Sequence, residues 1–383
     1  MTRIILHTAD LHIGKNRKYG DYLEQQQFML EGILRITEDT LREHQASEVW
    51  LIVAGDIFDR NEDTLREEFV LFMSHFLFPL LNLKEKYANF SYYIIDGNHD
   101  RQPYIEHPSV LSAFQPLTPY LSVRDPLFFQ KERLLLVPFG GYSEASFKEL
   151  LKKYPCEFIV AHECLSRMVT DTGWTPPRDQ DHGYIEINNV VTPEIAGVFL
   201  GDIHKCQALD DAQRVWYSGS PTTLDHGHKL PKGVLRHIYK QGSDGRWVQD
   251  RLPELLPLED SRIKQHFQLG RILSPDQVPL GQITDLYRKH YVQMTIAPEV
   301  YQVLDTQFPD FFTSTLTNWE FDRGVEGVSI SSGVQTEEPT TVSLEDYYKP
   351  LIEHWLTDNA EHLASDERAE CLEMLLTDFR SRA

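Results

Sequence analysis

A chain of 383 residues with 58 acidic and 37 basic side chains and a formal charge of −21 does not hold nucleic acid by a general basic surface. That mode of binding replaces counterions with Lys and Arg, so only a local basic groove stays open. The length exceeds the roughly 250 to 300 residues at which single cores stop growing, so at least two domains are expected, and 41% hydrophobic content excludes a mainly disordered chain. Four cysteines, Cys156, Cys164, Cys206 and Cys371, show no CxxC spacing, and no leader pattern or long apolar run occurs. The expectation is a protein of the reducing cytoplasm with no membrane span.

In chain order, short β-branched apolar runs read as buried strands at residues 3–9 (RIILHTA), 49–55 (VWLIVAG), 90–96 (FSYYIID), 133–139 (RLLLVPF), 157–163 (EFIVAHE) and 197–202 (GVFLGD). Helical periodicity covers residues 23–44 and 64–83, each long enough to cross over between parallel strands. Alternation of this kind predicts an α/β fold with a largely parallel core. The apolar face of 64–83 (Phe69, Phe72, Met73, Phe76) reads either as core or as the contact of a homodimer. Residues 206–252 read as short strands forming a second sheet layer, and the proline-containing LPELLPLED, 252–260, as a connector. A small α+β module is expected at 261–335, a linker at 331–341, and two amphipathic helices within 343–383.

The polar residues that end these runs carry the chemistry. Asp10 and His12 follow the first strand, Asp56 and Asp59 the second and Asn98, His99 and Asp100 the third; His162 ends one strand further on, and Asp202 and His204 follow another. A lone D-x-H is more often a turn and a lone Asp more often a helix cap. Five strand ends that each deliver carboxylate, imidazole or amide groups describe one rim, where open α/β sheets bind ligands. Oxygen and nitrogen donors of this mixture suit manganese, and admit iron or zinc.

This order of motifs (D-x-H, GD-x-x-D, GNHD, His, GD-x-H) resembles the calcineurin-like metallophosphoesterases over residues 7–221. Within them LHTADLHIGK, GDIFDR, GNHDR, LGDIHK, YSGSP and KGVL look most like the SbcD nucleases, bacterial and phage relatives of the meiotic-recombination-eleven family. The resemblance implies a metallophosphoesterase β-sandwich flanked by helices over residues 1–255, a DNA-capping module over 261–335, and C-terminal helices over 343–383 that dock an SbcC-type coiled-coil ATPase. It implies two divalent ions, manganese or alternatively magnesium, one on Asp10, His12, Asp56 and His204 and the other on Asp56, Asn98, His162 and Asp202, with Asp56 shared. His99 then protonates the leaving oxygen or stabilises the transition state, and Asp100 is the residue that orients it. Asp202 departs from the pattern, since most relatives carry His there; the carboxylate shifts preference toward harder ions.

The implied activity is exonucleolytic on double-strand DNA ends and endonucleolytic on single-stranded or hairpin DNA. Lys15, Arg17, Lys18, Arg60 and Arg101 trail the ligand motifs and are candidates for DNA phosphates, with solvated loop charges as the alternative. No G-x-x-x-x-G-K-[ST] occurs, so this chain is expected to bind no nucleotide cofactor. A phosphoprotein phosphatase of the same superfamily is a rival reading, although it more often carries GNHE and lacks YSGSP. A scaffold that bridges DNA ends without cutting them is the other.

Overall fold

A computed structural model describes residues 1–60, 64–101, 109–140, 142–175, 185–228, 231–272, 290–296, 306 and 319–321. Two six-stranded sheets form the main body. The first contains β1 (Thr2–Thr8), β2 (Glu48–Ala54), β3 (Phe90–Ile95) and β4 (Leu121–Ser122), all parallel. The second contains β5 (Leu127–Phe129), β6 (Leu134–Val137), β7 (Phe158–His162), β8 (Gly197–Gly201), β9 (Gln207–Ala208) and β10 (Val215–Tyr217), with β6, β7, β8 and β10 parallel. All six expected strands are present, and their near-continuous apolar runs reflect burial on both faces.

Period-two alternation divides those side chains between two cores. Val49, Leu51 and Val53 pack against helices α1 (Tyr22–Glu43), α2 (Arg66–Phe72) and α3 (Phe78–Lys86). Trp50, Ile52 and Ala54 face the second sheet and meet Phe158, Val160 and Phe199. The outer face of the second sheet is covered by α4 (Glu144–Lys153), through Phe147. The layers are thus helix, sheet, sheet, helix, as the α/β reading requires.

Two expectations change. Residues 206–252 do not form a layer of their own: β9 and β10 extend the second sheet, while β11 (Val234–Gln241) and β12 (Trp247–Leu256) form a hairpin antiparallel to β1. That hairpin covers the otherwise open edge of β1. The expected connector at 252–260 is strand as far as Leu256, and Pro253 is accommodated because β12 is an edge. Of the candidate dimer face, Phe72 and Phe76 are core, with Phe69 and Met73 packed on them. The helical stretch 64–83 is interrupted by a π-turn, Met73–Leu77, next to Pro79, which has no N–H to continue the α ladder.

A three-stranded parallel sheet of β13 (His266–Ile272), β14 (Tyr291–Ile296) and β15 (Trp319–Phe321) falls within the stretch expected to form a second module. Chain contacts divide the molecule into Met1–Asp322 and Arg323–Ala383. The linker at 331–341, the terminal helices at 343–383 and Cys371 lie outside the described residues. Among the described residues no helix is long and apolar enough to cross a membrane.

Candidate metal centre

Each motif places its polar residues just past the carboxyl end of a parallel strand, and β1, β2, β3, β7 and β8 bring those ends together. The chain turns sharply to do so: Asp10, His12, Asp56 and Asp202 all adopt positive φ (56°, 46°, 53° and 99°). Left-handed backbone at a non-glycine residue costs on the order of 1 kcal/mol each and persists where the surroundings enforce it. Close approach explains the glycines before the ligands. A Cβ on Gly97 would collide with the Asp56 carboxylate, and one on Gly201 with the Ala54 carbonyl oxygen.

Three histidines turn Nε2 toward the carboxylates and amide of the strand ends. His162 donates its Nδ1–H to the Ala54 carbonyl oxygen at 2.7 Å, which turns Nε2 toward Asn98 Oδ1 at 2.9 Å and Asp56 Oδ1 at 3.4 Å. His12 donates Nδ1–H to Asp59 Oδ1 at 3.1 Å, and its Nε2 lies 3.5 Å from Asp56 Oδ2 and 3.0 Å from Nε2 of His204. The Nδ1 of His204 is 3.2 Å from His228 Nε2. Partners of this kind fix the tautomer of a ligating imidazole.

The electrostatics call for a cation. Asp10 is fully buried and Asp56 nearly so, and among the described residues neither they nor Asp202 form an ion pair with Lys or Arg. Burial, with the charge of Asp56, pushes the Asp10 carboxyl up to about 7, and the same two causes raise Asp202. Burial opposes charge on Asp56 too, but the neighbouring His162, His12 and His99 hold it below the ordinary carboxylate range. Burial likewise opposes charge on His162, yet Asp56, Asp202 and Asp10 raise its basicity well above normal. Among the described residues Asp10 Oδ2 is buried without a hydrogen-bond partner.

A divalent ion fits this arrangement. Two donors about 2.1 Å from one ion at right angles lie about 3.0 Å apart, which is the spacing of the His12 and His204 Nε2 atoms and close to that of His162 Nε2 and Asn98 Oδ1. Asp10, His12 and His204 form one group able to hold an ion, Asp10, Asp56 and His162 another, and His12, Asp56 and His99 a third, with ligand atoms within 4.8 Å of one another in each. Asp202 stands at the edge, its Oδ1 4.0 Å from His162 Nε2 and its backbone N–H donating to Asp10 Oδ1 at 2.9 Å.

The expected role of Asp100 is corrected. Its carboxylate accepts backbone N–H groups of Ile57, Phe58 and Gly97 at 3.1, 2.8 and 2.9 Å and so ties the second motif to the third. His99 is oriented by Asp59 instead, donating Nδ1–H to that residue's carbonyl oxygen at 2.7 Å. Asp59 therefore positions two imidazoles, and its place in GD-x-x-D was the available signal. The sequence reading also passed over Lys232, buried between Asp171 at 3.0 Å and the His204 carbonyl oxygen at 2.5 Å. In YSGSP, Ser220 donates its N–H to that same carbonyl at 3.2 Å.

Of the basic candidates, Arg17 makes a two-pronged pair with buried Glu68 at 2.7 Å on each arm, and Arg101 does the same with buried Asp96 at 2.5 and 3.0 Å. Both are bound in place by carboxylates, for which the spacing gave no sign. Lys15 lies 3.5 Å from Asp59 and Arg60 3.7 Å from it, while Lys18 sits over the Tyr19 ring.

A curated relative, the SbcD component of the nuclease SbcCD of Bacillus subtilis (strain 168), is 25% identical over 295 residues, covering 66% of this chain and 71% of its own. The calcineurin-like phosphoesterase family matches residues 4–206, more than half of the 383. With five strand-end motifs meeting at one buried carboxylate and imidazole cluster, the chain belongs to the calcineurin-like phosphoesterase family.

Proposed function

We propose that the protein is a dimetal nuclease that hydrolyses DNA phosphodiesters, working exonucleolytically on duplex ends and endonucleolytically on single-stranded or hairpin DNA. The observation that carries the hydrolytic reading is the set of three imidazoles whose Nδ1 atoms are engaged and whose Nε2 atoms converge beside Asp10, Asp56 and Asn98. The choice of DNA is supported by the likeness to the SbcCD component, which extends over 295 residues and so beyond the matched phosphoesterase segment.

Asp10, His12, Asp56 and His204 would hold one ion and Asp56, Asn98, His162 and Asp202 the second, manganese being the choice that suits this donor set. Bound there, such a pair activates water and neutralises charge in an in-line phosphoryl displacement. His99 holds its Nδ1 proton against the Asp59 carbonyl, which aims Nε2 as the atom that delivers a proton to the leaving oxygen. Asp100 fixes the turn that carries both Asn98 and His99. Partnership with an SbcC-type ATPase, homodimer formation and a cytoplasmic site of action belong to the same reading.

The test is an end-labelled linear duplex incubated with Mn²⁺, wild type against His99→Ala at matched metal occupancy. Shortening by wild type and at least about 100-fold less by the variant supports nuclease action and the acid role of His99. Phosphopeptide turnover above DNA turnover makes the protein a phosphatase. No cleavage, even with an SbcC-type partner and ATP, makes it a scaffold.

A further inference from the structure

The loop after β7, which ends at the candidate ligand His162, carries an exposed aromatic. Trp174 is 54% exposed, so its indole has a face open to a ligand. Its backbone is held in place: Thr170 N–H donates to the Trp174 carbonyl oxygen at 2.9 Å, and Trp174 N–H to Thr170 Oγ1 at 3.0 Å.

The same loop is bonded to the metal-site loop at two points. The Gln207 side chain accepts from Val169 N–H at 3.0 Å and donates to the Val169 carbonyl oxygen at 2.7 Å, and it also donates to the Lys205 carbonyl oxygen at 3.2 Å. Asp171 takes the buried ammonium of Lys232, which also donates to the carbonyl oxygen of His204. Trp174 is therefore three residues from Asp171, which Lys232 links to the backbone of the candidate ligand His204.

Cations accompany it. Arg167 is exposed with φ of 73°, a strained conformation for a non-glycine residue, and Lys205 directly follows His204; neither forms an ion pair among the described residues. By contrast Arg17 and Arg101 are bound by carboxylates. In a chain of net charge −21, two cations without an ion pair among the described residues, carried by the same two bonded loops as an exposed indole, match a polyanion that also offers flat apolar faces.

Resting on the nuclease reading, we infer that this lip is a single-strand binding site, in which Trp174 stacks on a nucleobase next to the scissile phosphate while Arg167 and Lys205 take flanking phosphates. The ligand is an unpaired stretch of nucleic acid, since a base inside a duplex has no free face for the indole.

The experiment uses the full chain in the His99→Ala background with Mn²⁺, and two labelled probes of equal length, an oligothymidylate and its abasic counterpart. Added Trp174→Ala should weaken the oligothymidylate at least about tenfold and leave the abasic probe unchanged, and Trp174→Phe should restore most of the loss. Arg167→Gln should weaken both probes alike and flatten the salt dependence. Equal oligothymidylate affinity with and without Trp174→Ala, at an unchanged urea midpoint, overturns the inference alone. A parent that binds neither probe, with a wild type that leaves the duplex uncut, overturns the nuclease reading and this inference with it.

Discussion

Asp59 Oδ1 accepts the Nδ1 proton of His12 at 3.1 Å, and this bond decides which nitrogen of His12 faces the centre. Without it the ring would be free to turn or to carry its proton on Nε2. Asp59→Ala should therefore weaken Mn²⁺ binding about 10- to 100-fold, the usual cost of removing such a partner. Asp59→Asn, which keeps an acceptor oxygen, should recover much of it. Titration calorimetry reads the effect directly, and identical isotherms for wild type and Asp59→Ala would dismiss the role.

Gly97 admits no side chain, because a Cβ would occupy the space of the Asp56 carboxylate. Gly97→Ala should displace Asp56 and abolish tight metal binding while costing about 1–3 kcal/mol of stability, as overpacking does. Urea midpoints measured with chelator and with Mn²⁺ should show the metal-induced gain disappearing in the variant.

Metal should also be a stabilising ligand. An ion at about 100 times its Kd adds about 2.7 kcal/mol to folding, so chelator should lower the thermal midpoint and Mn²⁺ restore it. In Asp202→Ala one equivalent of Mn²⁺ should bind with affinity reduced at least about tenfold. Two unchanged equivalents would remove Asp202 from the ligand set.

His7 and His237 lie between the sheets, away from the metal ligands. Burial pushes His7 down to about 3 and His237 well below normal, the latter helped by His7 itself. His7 donates Nε2–H to the Leu200 carbonyl oxygen at 3.1 Å, while both His237 nitrogens lack a hydrogen-bond partner among the described residues. The unfolded chain takes up these protons first, at about pH 6.5, so stability is full above that value and falls as pH drops toward the folded pKa values. At pH 5 the loss is about 2 kcal/mol for His7. His237→Phe should lose less stability than wild type between pH 7.5 and 5 in urea unfolding, and equal slopes would refute the account.

The strands and the two main helical stretches were legible because periodicity is local: a doubly buried strand and a one-sided helix each leave a pattern in the residues that form them. The carboxylate, imidazole and amide residues were legible because their order along the chain is distinctive. Asp100 was misjudged for the opposite reason. Its neighbour in sequence is His99, but its hydrogen-bond partners are N–H groups of Ile57, Phe58 and Gly97, two of them some forty residues away. The affiliation of β11 and β12 was equally out of reach, since an amphipathic hairpin carries no label for the sheet edge it covers.

By itself the sequence determined which residue types are available at the rim and that they follow successive strands, since both follow from side-chain chemistry and local patterning. Tertiary structure alone decided which imidazole nitrogen faces the centre, that Asp59 rather than Asp100 holds His99, and that Arg17 and Arg101 are bound by buried carboxylates while Arg167 and Lys205 form no ion pair among the described residues. Those outcomes depend on distances between groups far apart in the chain. A hydrogen bond forms or fails over a few tenths of an ångström, and only the packed sheets set separations that finely.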